Sequence, residues 1–156
     1  TLDGLSATPF PSGVRNVPVE ITETIAPVVV WKKEYRQDSG GAGAHRGGLG
    51  QVMEVEHREG APFGIFATFE RVKHPARGRD GGQAGGNGRL SLASGQELRA
   101  KGFQTIPAGE RLVVEMPGGG GFGDPAKRDP EAVKRDVRLG LVSRAQAKAA
   151  YGVEGD

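Results

Sequence analysis

Cysteine is absent from the 156 residues. That removes disulfides, thiolate nucleophiles and thiolate metal ligands together. Aromatics are scarce, at one Trp, two Tyr and six Phe. The 21 Lys and Arg stand against 19 Asp and Glu, scattered along the chain with no dense basic block. A nucleic-acid binder is expected to show a basic patch or stripe interleaved with exposed aromatics, so nucleic acid is not expected as a partner. No apolar run approaches the roughly 20 residues needed to cross a bilayer, and no leader-like segment is visible. A membrane is therefore not expected, and a cytoplasmic protein is.

Glycine is what the chain has in excess, 27 of 156 residues, with ten prolines beside it. Charged and β-branched residues still alternate between the glycines, as in folded protein, and the length suits one domain with a real core. The densest run is Glu115-Met116-Pro117-Gly118-Gly119-Gly120-Gly121-Phe122-Gly123-Asp124-Pro125. Such backbone can adopt positive φ or lie close to another backbone or a ligand. Gly118, Gly120 and Gly123 satisfy G-x-G-x-x-G, but that fingerprint needs a helix opening at its last glycine. Asp124-Pro125 follows instead, and Asp124 stands where a phosphate-loop lysine would be. Two readings of the run remain open: a structural crossing, and a loop that completes a site built from other chain.

Strand-like segments precede this run. Residues 1–16 read as irregular around Pro9 and Pro11, and they look like the middle of something longer. Residues 17–24 alternate as a half-buried strand, 28–36 as a strand that leaves the core, and 49–58 as a strand with one buried face. Residues 62–69 are apolar on both faces and read as an interior strand, hairpinned to 49–58 across Glu59-Gly60. After a permissive loop at 74–88 come short strands at 89–93, 98–105 and 111–116. Beyond Gly123 the pattern turns helical. Asp129, Pro130 and Glu131 start one helix, stopped by Gly140, and Ser143 with Gln146 forms the capping pattern of a second, stopped by Gly152. The expected fold is mainly β with a small α-helical C-terminal segment. A glycine-rich β-sandwich or barrel-like domain spans 1–124, and 125–156 is a helical segment docking on it or on a partner.

Chemistry-bearing residues are spread thinly. His45, His57 and His74 lack the close pairing of zinc or iron ligands, so no metal site is expected. Ser12 and Ser39 lie outside any Gly-x-Ser-x-Gly elbow and read as turn residues. Arg15, Arg46, Arg71, Arg77 and Arg79 fall at or beside glycine turns, where guanidinium and backbone N–H together suit a carboxylate or phosphate. Asp124 reads as a turn former or as a carboxylate beside the glycine run.

Three stretches taken together resemble the hydantoinase B/5-oxoprolinase family: Phe10 to Glu20, Asp38 to Gly48 and Met116 to Pro125. The segment from Asp129 to Ser143 is similar to the end of that family as well. The resemblance implies the C-terminal part of a longer B-type subunit of an N-methylhydantoinase, oxoprolinase or acetone/acetophenone carboxylase system. It implies ATP-dependent hydrolysis of a cyclic amide, hydantoin or 5-oxoproline, together with an A-type ATPase subunit that supplies ATP and Mg. This segment would bind neither, would not act alone, and would leave any divalent metal to the remainder of the B-type subunit. Ketone carboxylation and a non-catalytic assembly role are the alternatives. Catalytic residues are not assigned by the resemblance. Substrate or anion binding is expected at Arg15, Asn16, Arg46, Arg71, Gly119, Gly120, Gly121 and Asp124.

Overall fold

The structure, a computed structural model, describes residues 2–7 and 17–154. Helix α1 (Val19–Ile25) is followed by β1 (Val28–Tyr35), β2 (Gln51–His57), β3 (Phe63–Thr68), β4 (Arg89–Leu92), β5 (Lys101–Ile106) and β6 (Leu112–Glu115). A short 3-10 turn (Pro125–Lys127) then leads to α2 (Pro130–Arg138) and α3 (Arg144–Tyr151). Strands β1-β2-β6-β4 form one antiparallel sheet, and β3-β5 form a second. The two sheets share one core. Leu90, Leu92, Leu112 and Val114 from the first are buried against Ala67 and Ile106 from the second, with Met53, Phe63 and Ile65 around them. This is a small, mainly β sandwich followed by helices.

Three sequence expectations change. Residues 17–24 are not a strand: Val19–Ile25 is helical, started by Pro18 at φ −55°. The alternation of Val17, Val19 and Ile21 had no face to bury, since no residue of α1 is buried. Thr24 Oγ1 donates instead to the Glu20 carbonyl at 2.7 Å. Glu23 Oε1 accepts from the Val30 N–H at 2.8 Å, so α1 covers part of the β1 edge.

The hairpin across Glu59-Gly60 does not form either. Both hydrogen-bonding edges of β2 are taken, by β1 and β6, and the turn carries the chain to the other sheet, where β3 pairs with β5. Nor is β3 interior on both faces. Ala67 is buried, while Phe66 is 74% exposed opposite its cross-strand partner Phe103, 62% exposed.

The helical signals lie where the sequence places them. Asp129 accepts from the Glu131 N–H at 3.0 Å, and Ser143 Oγ accepts from the Gln146 N–H at 3.1 Å. The Ser143 N–H donates to Asp38 Oδ1 at 2.7 Å, which ties α3 to the end of β1. Gly140 and Gly152 end the helices with φ near +70°, at 69° and 67°. Val133, Val142 and Ala147 form a second small core between α2 and α3.

Opposite fates follow for two large apolar side chains on the second sheet. Ile106→Ala removes a fully buried side chain and is expected to cost about 2–5 kcal/mol in urea unfolding. Phe66→Ala, on the outer face, is expected to stay within about 1 kcal/mol. Equal losses would contradict the facing of β3 and β5.

Candidate functional site

Residues 118–121 run through the middle of a bundle of extended segments, made of 39–43, 47–50 and 77–86. A Cβ added to Gly118 would fall on the Ser39 carbonyl, at Gly120 on that of Arg77, and at Gly121 on that of Ala42, each well under 3.0 Å. Gly119 faces Gly48. Successive glycines thus address three different neighbours, and the pattern returns after three residues, from Ser39 to Ala42. The hydrogen bonds repeat in the same way: Gly118 N–H donates to the Gly86 carbonyl at 3.1 Å, and Gly121 N–H to that of Gln83 at 2.9 Å. A three-residue repeat is that of polyproline II. Water satisfies the polar groups of a lone helix of that kind, whereas here neighbouring backbones do so.

Of this run, Gly123 alone has positive φ, 75°. Gly118, Gly120 and Gly121 are required by the missing Cβ. These three face peptide backbone, and no helix opens directly at the end of the run, as the nucleotide fingerprint requires.

Beside the bundle lies a buried charge cluster. Arg46 Nε meets Asp136 Oδ2 at 3.2 Å and its Nη1 donates to the Gly47 carbonyl at 2.8 Å. Arg128 clamps Asp3 with two bonds of 2.6 and 2.8 Å and donates to Asp136 Oδ2 at 2.7 Å. Its Nε is buried without an acceptor, and its guanidinium carbon sits 5.8 Å from the centre of the Tyr151 ring. Two cations and two anions from four chain segments therefore neutralise one another. Burial opposes ionisation of Asp3, but the bonds from Arg128 and the Arg46 amide, with both guanidinium charges, hold its pKa below the ordinary value. Hydrogen bonding to Asp3 raises that of Arg128. Burial, working against the nearby guanidinium charges, raises that of Tyr151.

A cavity of about 570 Å³ opens on the other side of residues 47–49, lined by Leu5, Ala7, Leu49, Gln51, Met116, Pro117 and the backbone of Gly4, Gly48, Gly50, Gly119 and Gly120. No charged side chain is among these lining residues. The amides of Gly48 and Gly120 donate to no acceptor among the described residues.

The expected site residues do not gather in one place. Gly119 and Gly120 line the cavity, and Gly121 is buried in the bundle. Arg46 is 5% exposed and holds Asp136 rather than lining the cavity. Arg71 is exposed on a loop at φ 56°. Asp124 accepts from the Ala126 N–H at 3.0 Å and so caps the 3-10 turn. Arg15 and Asn16 lie outside the described residues. His45 stacks against Phe122, and His57 Nδ1 accepts from the Glu59 and Ala61 amides. Among the described residues no three His, Asp or Glu side chains gather as metal ligands would, and no helix is long and apolar enough to cross a membrane.

Sequence reasoning missed Asp3, Asp136, Arg128 and Tyr151. One signal was present: Asp136 interrupts the apolar stripe of α2 one turn from Val133, where a solvated charge does not belong.

Substitutions separate these parts. Gly118→Ala is expected to abolish soluble folded protein, because only backbone surrounds the added methyl. Gly64→Ala, which meets only the exposed Phe103 ring, is expected to change stability by no more than about 1 kcal/mol. Asp136→Ala leaves two buried guanidinium groups short of a partner and is expected to cost about 3–5 kcal/mol. Since folding lowers the Asp3 pKa, its contribution is complete at neutral pH. It shrinks as pH falls below the ordinary aspartate value of 3.8 and is gone below the folded value. The stability gap between wild type and Asp3→Asn is therefore expected to narrow on acidification, as followed by urea titrations at stepped pH.

A family model described as Hydantoinase B/oxoprolinase matches residues 1–125. The beta chain of the caprolactamase of Pseudomonas jessenii is 36% identical over 86% of this chain and 24% of its own length. The B component of a putative D-/L-hydantoinase from a Pseudomonas species is 31% identical over 91% of this chain and 25% of its own. Among solved structures, the ATP-dependent caprolactamase of Pseudomonas jessenii superposes with a TM-score of 0.78 at 30% identity, covering 92% of this chain and 26% of that one. Nucleotide-free acetone carboxylase superposes at 0.80 over 97% of this chain and 25% of that one; at 24% identity this likeness concerns the fold. The chain spans about a quarter of the length of these relatives. It belongs to the hydantoinase B/oxoprolinase family.

Proposed function

We propose that the chain is part of a B-type subunit that hydrolyses a cyclic amide in an ATP-dependent reaction, together with an A-type ATPase subunit in the cytoplasm. The observation that carries this reading is the likeness, in sequence and in fold, to an ATP-dependent caprolactamase along almost the whole chain. Nucleotide and Mg are assigned to the A-type partner, in keeping with Gly118, Gly120 and Gly121 being packed against other backbone. Any divalent metal belongs to the remainder of the B-type subunit.

The cavity beside Gly119 and Gly120 is suited to the substrate. Its lining is mostly apolar and uncharged, and the unpaired Gly48 and Gly120 amides are the donors for a carbonyl oxygen. Backbone donors fixed on a rigid frame need no reorganisation to meet a developing negative charge on that oxygen. Arg46 acts as a positioning residue through the bundle, holding residues 46–48 against Asp136. Gly121 lies buried in the bundle, Asp124 caps the 3-10 turn, and Arg71 faces solvent. Arg15 and Asn16 remain expected to bind the substrate's anionic form.

The test uses the full-length B-type subunit with its neighbour-encoded A-type subunit. ATP hydrolysis and ring opening are measured with caprolactam, a hydantoin and 5-oxoproline, and carboxylation with acetone plus bicarbonate. Ring opening of at least one cyclic amide, strictly dependent on ATP, is expected. Leu5→Trp, a bulkier side chain at the cavity mouth, is expected to raise KM about tenfold or more with the melting temperature unchanged. Carboxylation of acetone with no ring opening would overturn the reading.

A further inference from the structure

Among the described residues that line the cavity, Gln51 carries the only polar side chain; the others are Leu5, Ala7, Leu49, Met116, Pro117 and glycines. Its place is set by the register of β2. Met53 lies opposite Val114, and Val55 opposite Leu112. Directly opposed residues of an antiparallel pair project to the same face of the sheet. Leu112 and Val114 are buried in the sandwich core and Met53 packs against it, so Gln51, two residues before Met53, continues the core face. The Met116 N–H donates to the Gln51 carbonyl at 2.7 Å, which carries the pairing one step past the end of β6. The core face of the first sheet therefore ends in Gln51 and Met116, opposed to one another at the cavity.

A polar side chain on a core face is expected to have a hydrogen-bond partner. The side-chain amide of Gln51 has none among the described residues, and the residue is only partly buried. Its carboxamide keeps an acceptor oxygen and an NH2 donor for whatever enters the cavity.

A ring amide presents the matching groups. Open-chain secondary amides are almost always trans, with N–H and C=O pointing in opposite directions. A small ring holds its amide cis, so the two groups lie side by side on one edge, a donor next to an acceptor. Oε1 and Nε2 of a carboxamide form the complementary edge and close two parallel hydrogen bonds with it. The carbonyl oxygen has a second lone pair for a backbone donor such as Gly48 or Gly120. The apolar lining then takes the hydrocarbon part of the ring.

We propose that Gln51 is the specificity-determining residue of the cavity, reading the cis N–H and C=O of an uncharged lactam through its carboxamide. The proposal rests on the reading of this cavity as the substrate site. It narrows the substrate to a ring amide whose nitrogen carries hydrogen. A lactone of the same size leaves Oε1 facing an oxygen with no proton to give, and a site built around a hydrogen bond rejects an analogue that lacks the donor.

The experiment measures binding of ε-caprolactam and of ε-caprolactone, in which oxygen replaces the ring N–H, to the full-length B-type subunit with its A-type subunit. Ligand-observed NMR titrations without nucleotide give Kd for wild type, Gln51→Met and Leu5→Trp, with melting temperatures and ATP-dependent opening of caprolactam followed for each. Met keeps the unbranched shape of Gln without its amide. Wild type is expected to bind the lactam about tenfold or more tighter than the lactone. Gln51→Met is expected to bring that ratio to about one by weakening the lactam alone, at an unchanged melting temperature and with the loss in ring opening falling on KM. Leu5→Trp is expected to weaken both ligands alike.

Equal binding of the two ligands by wild type overturns the proposal, as does binding of neither, or a lactam preference that survives in Gln51→Met. Equal weakening of both ligands by Gln51→Met assigns the residue to the shape of the wall and also overturns it. Where Gln51→Met melts below wild type, Gln51→Leu is read by the same ratio. A preference lost in the Gln51 variant, with no ring opening in wild type, keeps the role of Gln51 and removes the hydrolase reading; ring opening without a lactam preference does the reverse.

Discussion

Contact between peptide backbones with no side chain between them is the constraint on which the molecule depends. At Gly118, Gly120 and Gly121 the neighbouring carbonyls of Ser39, Arg77 and Ala42 occupy the space that a Cβ would take. Ordering so much glycine carries a large entropic penalty. Cross-chain hydrogen bonds offset it, since Gly41, Gly85, Gly86, Gly118, Gly119 and Gly121 all donate to other extended segments. The sandwich on one side and the helices on the other are both attached to this bundle: β2 runs into it from Gly50, and β6 runs into it through Met116 and Pro117.

The charge cluster fastens the bundle to what surrounds it. Asp3 lies on the first described segment, Arg46 between two segments of the bundle, Arg128 after the 3-10 turn and Asp136 on α2. A buried pair of this kind contributes little over an apolar contact, but losing one member strands the others. Its effect is to specify which segments meet. Leu5 and Ala7, placed by the same segment as Asp3, form one wall of the cavity, so charges on one side of residues 46–48 set the shape of an uncharged pocket on the other.

Segments were more legible in the sequence than their partners. The ends of α2 and α3 are written in local chemistry, in Asp129, Pro130, Ser143, Gly140 and Gly152, and local chemistry decides helix ends. Strand identity was readable from alternation, but pairing was not. A turn at Glu59-Gly60 says that the chain reverses, while the occupancy of both β2 edges by β1 and β6 depends on residues as far apart as Val52 and Glu115. Helix α1 reads as a strand because Val, Ile and Thr favour strands when packed on a sheet, and here they pack on nothing buried. Arg46 and Asp124 show the same limit at the site. The residue type suggested anion chemistry, and the partners, Asp136 at a separation of ninety residues and Ala126 in the next turn, decided the geometry.

Rigidity built from backbone has a consequence that side-chain packing lacks. Peptide groups have no rotamer to reorganise, so a wall in which the Gly119 N–H is bonded to the Gly48 carbonyl at 2.8 Å keeps its backbone groups in one geometry. Charged side chains near such a wall would draw water and compete for those groups. The cations of this region are instead sequestered or displaced: Arg46 and Arg128 are neutralised inside the cluster, and Arg71, Lys73, Arg77 and Arg79 are carried to the outer loop. The same glycine bundle therefore carries an uncharged cavity and, apart from it, a loop of exposed cations.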